Sequence, residues 1–460
     1  MSEDDKEPDI TDEEIDENLK VEAYLEQKEE EEGKWAEYIE AHPEQFYDPD
    51  YTEPPSDEAV RTFTGSNWID ERKTWTKTEE YRKPKLEDVY EVFRKWFFID
   101  DTKRLDLGLA VVQNSKLEGL PLWVLLRGSS GDMKSTQLET LECDQTKRIY
   151  KFTARTLVTG KNEPTDLVQA LWGKTILIFD LAETMSKDPT EKGQIFSQLR
   201  DLYDGFAGGS YGTGADKDYR GKPPQMLIGC TDAVAEEFLF HQELGTRELI
   251  YRLNTDSSKA RRRAMELAKR GLFDTAKKEC KQVVSEYLRT NSVALRKVEV
   301  PDAVDHQIEK LTDFLVYFRA KGKVDNYTGE LISTPSLEKP TRVAMQLIQL
   351  YKALKLLDEN YTDERALEII RHVVACSGDA VTLKIYEFLK GRSIVGSSTT
   401  EVSEELRLGY KTVYSRLNTL WALDLIECDR LQEGERHTRY WKVNDNVKIV
   451  TPSELAGKEW

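Results

Sequence analysis

The sequence predicts an α/β protein organised on a parallel sheet, and three apolar runs carry that prediction. Trp123-Val124-Leu125-Leu126 enters a glycine-containing loop and then Lys134-Ser135-Thr136. Lys174-Thr-Ile-Leu-Ile-Phe-Asp180 ends in an aspartate, and Gln225-Met-Leu-Ile-Gly-Cys ends at Thr231-Asp232. Strands covered on both faces read as near-continuous apolar runs.

Composition bounds the rest. With 460 residues, a prior of roughly 100–200 per domain gives about three modules. No run of about 18 uncharged apolar residues is present, which excludes a membrane-spanning helix. The start, MSEDDKEPD, is the opposite of a basic, apolar leader, so the reading is cytoplasmic. Cys143, Cys230, Cys280, Cys376 and Cys428 are scattered without a CxxC pair and read as reduced core residues. The net charge of −19 is local. Residues 1–60 hold 24 acidic side chains against 4 lysines, leaving 61 acidic and 62 basic in the other 400. Residues 1–60 are therefore expected to be a disordered acidic tail. Its readings are a solvated tail, a decoy competing with DNA, or a recruiter of a partner such as a replication protein.

Along the remaining chain, KLEDVYEVFRKWFFI carries Val89, Val92, Phe93, Trp96 and Phe97 at helical spacing, and LDLGLAVVQNSKL continues helical. Gly128-Ser129-Ser130-Gly131-Asp132-Met133-Lys134-Ser135 then fits GxxxxGK[ST], with Thr136 following and Met133 in place of the second glycine. Such a loop wraps phosphates with backbone N–H groups, its lysine reaches the β/γ-phosphates, and its hydroxyl holds Mg²⁺. ATP and Mg²⁺ are the cofactors this implies. Met133 is tolerable at negative φ and weakens the site otherwise. Residues 154–172 read as a helical insertion. Asp180 then lies 46 residues beyond Lys134, placed to share the Mg²⁺ with Ser135. Leu181 occupies the position of the usual catalytic glutamate, so Glu183 is the available base. The glycine-rich stretch 205–222, with Lys217, Arg220 and Lys222, reads either as a nucleic-acid contact or as an ordinary surface hairpin. Thr231 falls where a γ-phosphate sensor would sit. Arg247 and Arg252 follow, and an arginine there can reach a neighbouring subunit's nucleotide.

Residues 256–300 and 339–374 read as helical, the latter opening Lys339-Pro340-Thr341-Arg342. Three amphipathic helices follow, VTLKIYEFLK, TTEVSEELR and YKTVYSRLNTLWAL, with a hairpin formed by LIECDR and TRYWKV. That order predicts a winged helix-turn-helix, which would present Lys411, Arg416, Arg436 and Arg439 to DNA or, as some winged helices do, bind a protein.

With these pieces in place, VYEVFRKWFFIDDTKRLDLGLAVVQNSKLEGLPLWVLLRGSSGDMKST resembles the AAA+ ATPases carried by phages, plasmids and integrated elements. The resemblance continues through ILIFDL, LRDLYDGFAGGSYGTG, IGCTDAV, LGTRELIYRL and KPTRVAMQL and covers roughly 85–445. Those proteins are similar to the minichromosome-maintenance helicases. The resemblance implies a P-loop core at 61–254, a helical lid at 255–375 and a winged helix at 376–460. It makes Arg247 an arginine finger acting in trans, Arg342 a second sensor on the lid, and the assembly a hexameric ring on DNA. The expected function is an ATP-dependent helicase or replication initiator of a mobile element; the alternative is an ATP-gated DNA-binding regulator or partition factor that does not translocate. Met133, Leu181 and Asp232, which stands where proline is usual, depart from the family pattern.

Overall fold

The computed structural model describes residues 82–456 except 130, 154, 160–165, 211–215, 235–246, 255–256, 292–296, 326, 393–395 and 434–435. The acidic segment 1–60 and Ser130 thus lie outside the described residues. The first helix, α1 (Leu86–Trp96), buries Leu86, Val89, Tyr90, Val92, Phe93 and Trp96 along one stripe. Its N-terminus is closed by the Asp88 carboxylate, which accepts from the Lys85 N–H at 2.6 Å. The next, α2 (Lys103–Asn114), is buried all round from Arg104 onward, as a helix packed on two sides must be.

The strands β1 (Trp123–Arg127), β2 (Thr146–Arg148), β3 (Thr175–Ile178), β6 (Gln225–Cys230) and β7 (Glu248–Arg252) form one parallel sheet in the order β2-β3-β6-β1-β7. Alternation fixes its two faces. Val124, Leu126, Leu227, Leu249 and Tyr251 join the core shared with α1 and α2. Trp123, Leu125, Met226, Ile228 and Ile250 join a second core with Ile195, Leu199 and Tyr203 of α5 (Pro189–Tyr203). Between β1 and β3 lie α3 (Lys134–Thr140) and β2; α4 (Ala182–Met185) precedes α5, and β4 (Phe206–Ser210) pairs antiparallel with β5 (Asp216–Arg220).

After the sheet come α6 (Ser257–Lys269), α7 (Phe273–Thr290), α8 (Asp302–Arg319), α9 (Pro340–Lys355) and α10 (Asp363–Ser377). Of these, α7 packs on α1 and α3, α9 packs on α2, and α10 packs along β7. Strand β7 is an edge, and side chains satisfy its outward backbone groups. Arg319 Nη2 donates to Glu248 O at 2.6 Å, Ile250 N donates to Ser377 Oγ at 2.8 Å, and His372 Nε2 lies 2.8 Å from Arg252 O. Covering an edge in this way blocks pairing with another chain. The buried Asp106 of α2 ties the layers together, accepting from Tyr361 Oη at 2.7 Å, Arg365 Nε at 3.0 Å and Tyr90 Oη.

Two helical expectations are corrected. The described residues of 154–172 are turns and one short 3₁₀ helix, Leu167–Ala170. Threonines drive this: Thr153 N bonds Thr156 Oγ1 at 2.8 Å and Thr159 N bonds Asp166 Oδ1 at 2.9 Å, local bonds that compete with a helix. The run 339–374 is broken between α9 and α10, where Thr362 caps the second helix by accepting from Arg365 N.

The C-terminal elements arise in the predicted order. They are α11 (Ala380–Lys390), β8 (Ser397–Ser398), α12 (Thr399–Leu406), α13 (Tyr410–Ala422), β9 (Ile426–Glu433) and β10 (Arg436–Val443), followed by α14 (Pro452–Ala456). Ser398 and Glu401 close a reciprocal cap on α12. The antiparallel sheet runs β8-β10-β9. Among the described residues, no helix is long and apolar enough to cross a membrane.

Candidate active site

Because the five strands run one way, their carboxyl ends share one edge. The connection leaving β1 runs toward β2, whereas the one leaving β6 crosses to β7. Such a reversal between neighbouring strands opens a crevice. Residues 128–133 leave β1 there, Asp180 follows β3, and Thr231 and Asp232 follow β6. Gly229 makes the approach possible. A Cβ on it would stand 2.9 Å from Phe179 O and 3.7 Å from Lys134 Cβ, so the end of β3 and the start of α3 both close on β6. The Cys230 thiol, pushed up to about 12 by burial, feels the charges of Lys134, Arg127, Asp232 and Asp180.

Lys134 opens α3 and turns its ammonium back onto the loop, donating to Gly128 O at 2.7 Å and Ser129 O at 2.6 Å. Partial burial lowers its pKa from the ordinary lysine value, and Asp132 opposes the shift. Met133 has φ 57° and ψ 22°, the left-handed conformation that favours glycine, so the motif's missing glycine is missing where the backbone needs one. The loop is braced from α2 by a residue that sequence reasoning missed. Arg104 donates through Nη2 to Asp132 O and through Nε to Gln137 Oε1, both at 2.9 Å, and Gln137 Nε2 returns a bond to Arg104 O at 2.6 Å. Burial pulls the Arg104 guanidinium down to about 10. Nothing in a KRLDLG helix marks one arginine as a brace; only the contact does.

Asp180 is exposed, with Oδ1 accepting from Ala182 N at 2.8 Å. Ser135 is exposed on the first turn of α3. Oxygen donors of this kind suit Mg²⁺, which takes one or two protein oxygens and completes its shell from phosphate and water. Among the described residues no cluster of three or more His, Cys, Asp or Glu could hold a metal alone, so phosphate would supply the remaining ligands. Glu183 pairs with Lys151 at 3.1 Å and is exposed. Leu181 is buried. Thr231 is half-buried at the crevice. Asp232 accepts from Arg127 Nε at 2.5 Å and lies 3.9 Å from Arg252 Nη2, and the Arg127 bond holds its carboxyl below the usual range.

Arg247 and Arg342 are elsewhere. The register sets Glu248 level with Trp123 and Arg252 level with Arg127. Arg247 therefore precedes the far end of β7, about 17 Å along the chain from Arg252 at the crevice end at ~3.3 Å per residue. It is buried, donating to Asp204 Oδ2 at 3.0 Å with its guanidinium 5.3 Å from the centre of the Tyr203 ring. Arg342 sits 3.5 Å from Glu338 Oε1. Burial raises the Glu338 pKa against the opposing charges of Arg319, Arg342 and Arg247, so the three arginines gather at this second edge. The structure brings Lys134, Asp180, Thr231 and Arg252 to one end and Arg247 and Arg342 to the other.

The residues expected on nucleic acid also divide. Lys217 is turned inward, 2.7 Å from the buried Asp166. Arg220 is exposed over the exposed Phe206, 5.1 Å from the ring centre. Lys222 faces Glu118 at 3.5 Å. Lys411 is exposed, Arg416 pairs with Asp379 at 3.0 Å, and Arg439 donates to Tyr414 Oη at 2.8 Å. The Arg436 side chain lies outside the described residues. A cleft of about 170 Å³ lies beside Arg104, lined in part by Phe98, Lys103, Arg104, Tyr251, Asn254 and His372.

No protein family matches the chain, and no curated protein does. Among solved structures, the SCCmec type IV Cch active helicase aligns over 80% of this chain and 72% of its own, at 12% identity and TM-score 0.38. The Thermotoga maritima RuvB Holliday junction branch migration motor aligns over 80% and 97%, at 13% and 0.22. The apo C-terminal region of NrS-1 aligns over 80% and 78%, at 11% and 0.26. Likenesses this distant assign no residue of this chain a role.

Proposed function

We propose that the chain is a Mg²⁺-dependent ATPase acting on DNA as a ring of identical subunits, a helicase or initiator of a mobile element. One observation carries the nucleotide reading: Lys134, Asp180 and Thr231, read from three separate stretches of sequence, meet at the carboxyl edge of a parallel sheet where strand connections reverse. Phosphates would displace the Gly128 and Ser129 carbonyls as partners of Lys134. Asp180 and Ser135 would hold Mg²⁺, and residues 129–136 would line the phosphates. The neighbouring cleft, with Phe98 and Tyr251, would take the base. Thr231 would sense the γ-phosphate and Glu183 would orient water. Arg247, out of reach of its own crevice, would serve a neighbour, with Arg342 beside it. Three helices and a hairpin support reading 376–460 as a winged helix. Arg220 over Phe206 supports a nucleic-acid contact on the β4–β5 hairpin.

A nucleotide-gated DNA-binding regulator is the second reading. Met133 in the left-handed region, buried Leu181 after Asp180, and Glu183 engaged with Lys151 all favour slow turnover.

Asp180→Asn tests both readings, because the amide oxygen can still accept from Ala182 N while the metal-binding charge is gone. ATP should still bind, and hydrolysis should fall by about 10²-fold or more, with Lys134→Ala losing both. Parent-like hydrolysis in either variant would refute the nucleotide site. Strand separation by the parent selects the motor; ATP-dependent DNA binding without it selects the regulator.

A further inference from the structure

A turn about 50 residues before the C-terminal helices is seated on α13. Asp325 organises it: its carboxylate accepts from Tyr327 N at 2.7 Å, Thr328 N at 2.8 Å and Thr328 Oγ1 at 3.2 Å. Gly329 N closes on Asp325 O at 2.9 Å, and Gly329 has φ +76°. Glycine is required there for a second reason. A Cβ would lie 3.3 Å from Tyr414 Cδ1 and 3.5 Å from Lys411 Cγ, and Asn418 Nδ2 reaches Gly329 O at 3.4 Å. The turn therefore holds Tyr327 beside the first turns of α13 while leaving its ring 94% exposed.

At the start of α13, Tyr410 is 55% exposed and lies within 10° of parallel to Tyr414, ring centres 6.2 Å apart. Arg439 fixes Tyr414 from β10, and Lys411 and Thr412 are exposed on the same turn. The turn's bonds fall on Asp325 Oδ1, and the carboxylate also faces the charge of Lys411. Two large exposed rings on stiff backbone, flanked by basic side chains, offer π-faces and phosphate contacts together. The remainder of α13 from Val413 to Leu420 is buried or half-buried, so the helix cannot lie along its length in a major groove.

We propose that the seam between residues 325–329 and the start of α13 binds single-stranded nucleic acid, bases stacking on Tyr327 and Tyr410 and phosphate held by Lys411. Stacking accepts any base, so sequence preference should be slight. The proposal rests on the reading that the chain acts on DNA, and does not depend on ATP hydrolysis.

The test uses the full chain, a fluorescein-labelled 20-nucleotide dT strand and a labelled 20-base-pair duplex, with binding followed by anisotropy. Tyr327→Ala and Tyr410→Ala should each weaken dT binding by about tenfold. Tyr327→Phe and Tyr410→Phe should stay within about twofold, because rings and not hydroxyls do the binding. Lys411→Ala should reduce the salt slope for the dT strand by about 0.7. Both tyrosines are exposed, so these changes spare the core. Alanine variants that bind dT as the parent does, or phenylalanine variants as weak as the alanine ones, would overturn the site. A parent that binds duplex but no single strand overturns the seam and leaves the DNA reading standing; a parent that binds neither overturns both.

Discussion

The two edges of the parallel sheet are built from the same strands and hold opposite kinds of chemistry. At the carboxyl edge, Asp180 and Ser135 are exposed, Lys134 bonds loop carbonyls among the described residues, and glycines at 128 and 229 let neighbouring segments approach closely. At the amino edge, Arg247 and Arg319 are buried and Glu248 is half-buried, among residues of α5, α8 and α9. The first edge has exposed polar groups beside the crevice, whereas the second is buried and still incompletely paired, with Arg319 Nη1, both Glu338 carboxylate oxygens and Gln346 Oε1 lacking a hydrogen-bond partner among the described residues. Neither density of charge nor incomplete pairing therefore locates a site alone; accessibility separates the two edges.

The largest effect expected concerns whether the amino edge acts on a neighbour. An arginine supplied in trans is worth about 10³-fold or more in turnover. Arg247→Ala should bind ATP normally, lose turnover on that scale, and regain some when mixed with Lys134→Ala. Arg252→Ala is the control, since Arg252 sits at the carboxyl edge beside Asp232. If Arg252→Ala takes the loss and Arg247→Ala turns over like the parent, the amino edge is purely structural.

Arg319 sharpens the same contrast through stability. Its guanidinium donates to the edge carbonyl of Glu248, and burial pulls its pKa down to about 10. Arg319→Met leaves that carbonyl without its donor and removes one of the cations acting on the neighbouring Glu248 and Glu338 carboxyls. Removing one partner from such a buried set costs about 3–5 kcal/mol. Urea unfolding should show that loss while the folded fraction keeps its ATP affinity. A change in affinity with unchanged stability would join the two edges functionally.

What the sequence made legible follows from the same physics. Fully buried strands must be apolar throughout, so WVLL, TILIF and QMLIGC announced themselves, and so did the polar residues ending them. Amphipathic periodicity likewise exposed α1 and α11 to α13. Register was not legible, because only four residues separate Arg247 from Arg252 and only pairing with β1 says which end each occupies. Partners distant in sequence were hidden as well. Lys217 reads as a basic loop residue until Asp166, 51 positions earlier, is found against it. The seat of Gly329 on α13, against Lys411, Tyr414 and Asn418, is equally invisible.

The Asp166 pair gives a pH test. Asp166 accepts from Lys217, Tyr219 Oη and Thr159, which hold its carboxyl down to about 2 against the opposing effect of burial. A depressed carboxyl stabilises above its unfolded value near 4, and that stability is lost as pH falls through the folded one. Hydrogen exchange in β5 should therefore rise between about pH 4 and 2, by an amount on the order of 1–2 kcal/mol after allowing for solvent screening. Glu248 and Glu338 run the other way. Burial raises both, so lowering pH from neutrality protonates them and favours the folded amino edge. Asp166→Asn should abolish the β5 effect and leave the amino edge unchanged.

The smallest effect isolates the backbone of the phosphate loop. Met133 adopts φ 57°, which costs an L-residue roughly 1–2 kcal/mol, while its side chain packs partly against the core. Met133→Ala removes the packing and keeps the strain. Met133→Gly removes both, and adds back the greater chain entropy of glycine, about 0.5–1 kcal/mol. Comparing glycine with alanine cancels the packing loss, so the glycine variant should be the more stable by up to about 1 kcal/mol. ATP turnover should be kept or raised in Met133→Gly, since the backbone gains the conformation that closes on phosphate without a β-carbon to hold there. Thermal melts and turnover on the two variants decide it. An alanine variant equal or superior to glycine in both would mean that the left-handed geometry is not retained when nucleotide binds, and that the loop closes by another route.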